Sequence, residues 1–169
     1  MPIDSPAGQI PTLEEAVAVA QADGGVEKLA QRYTQPVFLI QAPVQVWSEV
    51  TEVHAFGAPK RMLPTMVVEL VQGKLNKNPD RLSVGRAGVC DVILPFGAMS
   101  KVHGNLSRTP KGFEYEDAGS TNGTILSAAK LKPGAPVLLR DKDTLKFGDV
   151  TAQFLLPASL LAEIKKRAG

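Results

Sequence analysis

The chain has 169 residues, 44% hydrophobic and 21% charged, a balance that suits a folded globular protein and argues against wholesale disorder. The single cysteine, Cys90, excludes an intrachain disulfide and every multi-cysteine zinc site. Two histidines, His54 and His103, exclude a His-rich metal centre, and aromatics at 5% leave little for stacking on single-stranded nucleic acid. The net charge of +2 is unevenly spread: residues 1–59 hold seven acids and two bases, residues 60–169 ten acids and seventeen bases, which suggests two functional regions.

The opening Met1-Pro2-Ile3-Asp4 carries no basic segment followed by an apolar one, so no signal peptide is expected. No apolar run approaches the roughly 20 residues that span a bilayer. A cytoplasmic location without membrane contact is the expectation. Thr12-Leu13-Glu14-Glu15 fits a capping box, and Leu13, Ala16, Val17 and Ala20 follow at helical spacing up to Gly24-Gly25. Val26, Leu29, Ala30 and Tyr33 repeat that spacing until Pro36. These segments predict a small helical hairpin, either a docking element or a layer packed on the rest of the chain. Residues 37–40 and 44–53 read as strands. From Ala58-Pro59 onward, short apolar runs alternate with turn residues. Strands are predicted at Met66–Val71, Arg81–Gly85, Asp91–Leu94, Val102–Ser107, Phe113–Asp117, Gly123–Ser127, Pro136–Leu139, Thr144–Phe147 and Val150–Leu156. Nine short strands in about 90 residues indicate an all-β sandwich or barrel. Residues 158–167 predict a short helix with Lys165-Lys166-Arg167 in its last turn, where cations favour the helix dipole.

Loops at one end of a small sandwich carry function in most cases. Three loop segments stand out: Gly85-Arg86, Ser100-Lys101-Val102-His103, and Ser120-Thr121-Asn122-Gly123-Thr124. They supply a guanidinium, an ammonium, hydroxyls and a carboxamide. No nucleophile–base pair stands among them, but a phosphate dianion needs such a set: one bidentate cation, a second charge, and neutral donors that fix orientation.

The order Gly-Arg, Ser-x-x-His, Asn-Gly-Thr and a late Gly-Asp (Gly148-Asp149) resembles a forkhead-associated (FHA) domain over about residues 62–157. The resemblance implies a mainly β, eleven-stranded FHA-like sandwich. The chain then divides into an acidic, partly helical N-terminal extension (1–60), the sandwich (61–157) and a short basic C-terminal helix (158–169). It implies phosphothreonine recognition, with Arg86 gripping the phosphate oxygens. Ser100 donates its hydroxyl, with help from its backbone, and Lys101 adds charge at the rim. Thr121 lies in the loop facing the peptide, and Asn122 bonds the peptide backbone. His103 braces the loops from behind, Gly85 turns the chain so that Arg86 points outward, and Gly123 supplies the positive φ of an Asn-Gly turn. The pattern departs from the family at Ile125-Leu126, where a further Asn is common.

The function expected is a phosphopeptide-binding adaptor downstream of Ser/Thr kinases, with a threonine-phosphorylated protein, a Ser/Thr kinase or its substrate, as partner. No nucleic acid, membrane, cofactor, metal or catalytic residue is expected, and no enzymatic activity. The alternative is a phosphate-independent scaffold using the sandwich surface or the N-terminal helices. Cys90 and His54 read as packing or surface residues.

Overall fold

The computed structural model describes residues 10–43 and 62–169. The strand expected at 44–53, and His54, lie outside the described residues. Eleven strands form two sheets, with two helices before them and one after, so the mainly β sandwich with helical flanks is the architecture observed. Helices α1 (Leu13–Ala20) and α2 (Gly25–Arg32) precede β1 (Val37–Gln41) and β2 (Met66–Glu69). Then come β3 (Arg81–Gly85), β4 (Val92–Ile93), β5 (Gly104–Thr109), β6 (Gly112–Asp117), β7 (Ile125–Leu126), β8 (Ala129–Lys130), β9 (Val137–Leu139), β10 (Thr144–Phe147) and β11 (Val150–Leu155). Helix α3 (Pro157–Ala168) ends the chain. The first sheet runs β2-β1-β11-β10-β7-β8 and the second β4-β3-β5-β6-β9.

Two apolar layers result. Between the sheets, alternate residues such as Phe38, Ile40, Leu82, Val84, Leu106, Tyr115, Leu145, Phe147 and Phe154 fill the interior. On the outer face of the first sheet, Val37, Leu39, Val67 and Leu155 pack against Leu13, Ala16, Leu29, Tyr33, Leu160 and Ile164 of the helices and their caps. This explains the unbroken apolar run in β1. Its strand is buried on both faces, by the second sheet on one side and by helices on the other. Val37–Gln41 falls inside the segment assigned from sequence to the extension, yet it is an interior strand bonded to β2 and β11. The expected edge near residue 60 is therefore not where the sandwich begins.

The capping box forms as read: Glu15 N–H donates to Thr12 Oγ1 at 3.2 Å, and Thr12 N–H donates to Glu15 Oε2 at 2.8 Å. Helix α3 begins at Pro157, whose missing N–H costs nothing at a helix start. Arg167 meets Glu163 one turn back at 2.7 Å. Of the strand expected at Gly123–Ser127 only Ile125–Leu126 (β7) forms, and the chain then turns back into Ala129–Lys130 (β8) as a hairpin. Its turn uses Ser127 and Ala128 at φ 46° and 74°. No Gly or Asn marks that turn, so turn chemistry did not reveal it. The strand expected from Val102 instead starts at Gly104, because residues 100–103 form a loop bonded along the end of β3.

Candidate functional site

The loops at the β3 end of the sandwich form a shallow cavity of about 280 Å³ lined by Arg86, Gly97, Ala98, Met99, Ser100, Lys101, Thr121 and Asn122. All five expected binding residues (Arg86, Ser100, Lys101, Thr121, Asn122) therefore line one cavity. A cavity of similar volume, about 300 Å³, lies at the opposite end of the sheets, so size does not choose between them. Chemistry does. In the far cavity Arg108 donates to Gln35 Oε1 at 2.6 Å and lies over the Phe113 ring. In the near one, Arg86 and Lys101 meet no carboxylate among the described residues.

Each group is held by backbone geometry. Arg86 follows β3, and its N–H donates to Ser100 O at 2.9 Å while Ala87 N–H donates to Lys101 O at 3.0 Å. The loop thus continues the ladder of the strand. A Cβ on Gly85 would run into the Lys101 carbonyl. Gly85 has no positive φ, so its role is close approach of two backbones rather than the turn expected from sequence. The Lys101 carbonyl also accepts from Cys90 Sγ at 3.2 Å; burial pushes that thiol up from its ordinary pKa. Arg86 Nε donates to Met99 O at 3.2 Å, which orients the guanidinium, and its terminal N–H groups meet no partner among the described residues.

Ser100 Oγ accepts from Thr121 N–H at 3.0 Å, so its own proton remains to be donated. Its backbone N–H is engaged, donating to His103 Nδ1 at 3.2 Å. The backbone help expected of Ser100 is thus not available as a free N–H, since His103 holds it. Asn122 Nδ2 donates to Ala98 O at 2.8 Å and ties the two loops together, with its Oδ1 and second N–H left over. Gly123 sits at φ 73°, in the left-handed region that the Asn-Gly turn requires.

His103 is 0% exposed, against Phe147 with ring centroids 4.9 Å apart. Its Nδ1 accepts from Ser100 N–H, so the proton is on Nε2, which donates to Gly123 O at 3.0 Å. One neutral imidazole therefore links the 97–101 and 117–124 loops. Burial lowers its pKa, against the raising influence of the Gly123 bond and the Asp117 carboxylate 3.7 Å away.

Asp117, which sequence reading did not single out, organises the 117–124 loop. Its carboxylate accepts from Gly119 N–H and Ser120 N–H, each at 2.9 Å, and from the Ser120 and Thr124 hydroxyls, each at 2.6 Å. Burial alone would raise its pKa, but the Ser120 and Thr124 hydroxyls and the two N–H groups outweigh it and hold the carboxyl below its ordinary value. The local signal was present: an Asp two and three residues before the N–H groups it caps is an Asx-type turn. The bond to Thr124 had no local signal. Among the described residues no cluster of His, Cys, Asp or Glu is placed to hold a metal ion, and no helix is long and apolar enough to cross a membrane.

A family model described as FHA domain matches residues 82–148. Over 90 residues the chain is 37% identical to mediator of DNA damage checkpoint protein 1 of Rattus norvegicus, covering 46% of this chain and 7% of that protein. It is 33% identical over 76 residues to an ABC transporter ATP-binding/permease protein of Mycobacterium tuberculosis, covering 45% of this chain and 8% of that protein. The chain thus spans less than a tenth of the length of these relatives. A similar solved structure, an engineered FHA with a Myc-pTBD peptide, gives a TM-score of 0.46 at 16% identity, covering 76% of this chain and 98% of that one. The two-sheet sandwich and the ordered loop motifs agree with this match of residues 82–148 to the FHA-domain model.

Proposed function

We propose that the loop-end cavity binds a phosphothreonine peptide of a partner protein, and that the chain works as a reader of Ser/Thr kinase output. The observation that carries this reading is what the internal hydrogen bonds leave free. Arg86 keeps its terminal N–H groups, Ser100 its hydroxyl proton and Lys101 its ammonium, all lining one cavity. A phosphate brings about −1.5 to −2 charges and three strong acceptors. Asn122 retains donor and acceptor capacity for a peptide backbone beside the phosphorylated residue. Thr121 faces the same cavity, while Gly85, His103 and Gly123 act from behind by shaping the loops.

Charge-assisted hydrogen bonds contribute roughly 1.5–3 kcal/mol each, so two from Arg86 separate phosphorylated from plain peptide by on the order of 100-fold or more. Ala98 and Gly97 line the cavity with little bulk, and this reading sets the threonine methyl against them. One buried methyl adds about 0.8 kcal/mol, about fourfold over phosphoserine. The scaffold reading that uses the N-terminal helices as free docking arms is not favoured, because their apolar faces are spent on the first sheet and α3. We take residues 10–43 as part of the same folding unit as the sandwich.

Fluorescence anisotropy against a degenerate phosphothreonine library, with phosphoserine and unphosphorylated controls, tests the reading. Wild type is expected to bind only phosphorylated peptide, and Arg86→Ala to lose about 100-fold in affinity. Equal binding of phosphorylated and plain peptide, or undiminished binding by Arg86→Ala, overturns it.

A further inference from the structure

The outer face of the first sheet is only partly covered by helices. They rest on Val37, Leu39, Val67 and Leu155. The strand register carries the same face across to residues the helices do not cover. Gln41, two residues beyond Leu39, pairs with Thr151; Thr151 pairs with Lys146, Lys146 with Ile125, and Ile125 with Lys130. Residues directly opposite each other share a face, so these five form one row across the sheet. The row lies at the loop end, since Lys146 and Ile125 sit one residue from Phe147 and Thr124, both in contact with the His103 and Asp117 framework.

Ile125 stands 39% exposed in this row, between the two exposed lysines Lys146 and Lys130. At ~4.8 Å per strand, the Lys130 and Lys146 backbones are about 10 Å apart. Neither ammonium meets a carboxylate at ion-pair distance among the described residues. The outer face of the second sheet differs: there Arg81 meets Glu116 at 3.8 Å. The row also adjoins the cavity. The Lys130 side chain passes over Gly123, where an added Cβ would come within 2.9 Å of its Cε, beside Asn122. A chain leaving the cavity over Asn122 and Gly123 therefore meets Lys130, then Ile125, then Lys146.

We propose that this row is a second contact surface, which takes an acidic segment carrying an apolar side chain from the same protein whose phosphothreonine enters the cavity. The inference rests on the phosphothreonine reading. Two lysines that form no ion pair among the described residues attract acids, and the exposed isoleucine between them offers an apolar contact. Exposed pairs are individually weak and screened by salt, so the surface adds selectivity and does not replace the phosphate grip.

The test compares a short phosphothreonine peptide with two extended versions on each flank, one ending in Asp-Leu-Asp-Glu and one in Asn-Leu-Asn-Gln. Each is titrated at low salt into wild type, Lys130→Gln/Lys146→Gln, and Lys130→Glu/Lys146→Glu. On one flank the acidic extension is expected to bind about 5- to 10-fold more tightly than the neutral one. The glutamine pair abolishes that gain while the short peptide binds as before, and the glutamate pair makes the neutral extension the better ligand. The proposal is overturned if acidic and neutral extensions bind alike on both flanks, or if the gain survives in the glutamine pair. Should wild type bind the short phosphopeptide and ignore the extensions, only this inference falls. Should it bind no phosphopeptide, the phosphothreonine reading falls with it.

Discussion

The helix-covered face of the first sheet and the loop end of the sandwich are held by different physics. Toward the helices, cohesion comes from apolar burial: Leu13, Leu29, Tyr33, Leu160 and Ile164 close over Val37, Leu39, Val67 and Leu155. Toward the loops, cohesion comes from hydrogen bonds to two buried polar groups, the His103 imidazole and the Asp117 carboxylate. Apolar packing is non-directional and tolerates small shifts, whereas a bonded network fixes atoms in direction as well as distance. A layer that only has to stay in place uses the first kind of force. A surface that has to present a guanidinium, a hydroxyl and a carboxamide at set angles uses the second.

The sharpest way to separate the two regions is to damage the first alone. Leu160, fully buried among the helices, is expected to cost about 2–5 kcal/mol of stability as Leu160→Ala, measured by chemical denaturation. The affinity of the folded fraction for phosphothreonine peptide should not change. Arg86→Ala does the converse, losing binding about 100-fold at unchanged stability, because Arg86 is exposed and meets no carboxylate among the described residues.

Asp117→Asn breaks the separation, since Asp117 serves both fold and site. An asparagine keeps one acceptor oxygen but turns a donor toward groups that are themselves donors. Stability is expected to fall by about 1–3 kcal/mol and peptide affinity to fall with it, through a loosened 117–124 loop. Amide exchange at Gly119 and Ser120 reads the loosening directly.

The smallest effect is on pH. His103 has a folded pKa below its ordinary 6.5, so on acidification the unfolded chain takes up a proton before the folded one does. Its contribution is fully present above 6.5 and is lost as pH falls through the lower folded value. Protonation also places a proton on Nδ1, where Ser100 N–H now donates. Asp117, likewise depressed, contributes above its ordinary 3.8 and is lost only below it. The unfolding free energy is expected to show two acid steps, with the upper one missing in His103→Gln. Stability that stays flat from about pH 8 to about pH 5 would remove His103 as the link between the loops.

Much of the fold was legible because it is written in short-range patterns. The capping box at Thr12 and Glu15, the alternation in Phe113-Glu114-Tyr115-Glu116, and Pro and Gly at turns each reflect forces acting within a few residues. The β7–β8 hairpin escaped because Ser127 and Ala128 adopt positive φ without being Gly or Asn. Residues 37–40 were legible as a buried strand, but not their partners, which are far away in sequence at β2 and β11. In the candidate site, the ordered motifs pointed to Arg86, Ser100, Lys101, Thr121 and Asn122, which line one cavity, whereas the close backbone approach at Gly85 and the engagement of Ser100 N–H had no local signal.

What the linear order of residues determined is the set of groups available: the strands, the turn positions and the donors and charges on the loops. Tertiary structure alone decided which of those groups are free. It spent the Ser100 N–H on His103 and left the Ser100 hydroxyl proton, and it set Lys130, Ile125 and Lys146 in a row. The reason is that a hydrogen bond or a cross-strand neighbour is settled by register between segments that meet only in the folded sheets, and no local pattern encodes that register.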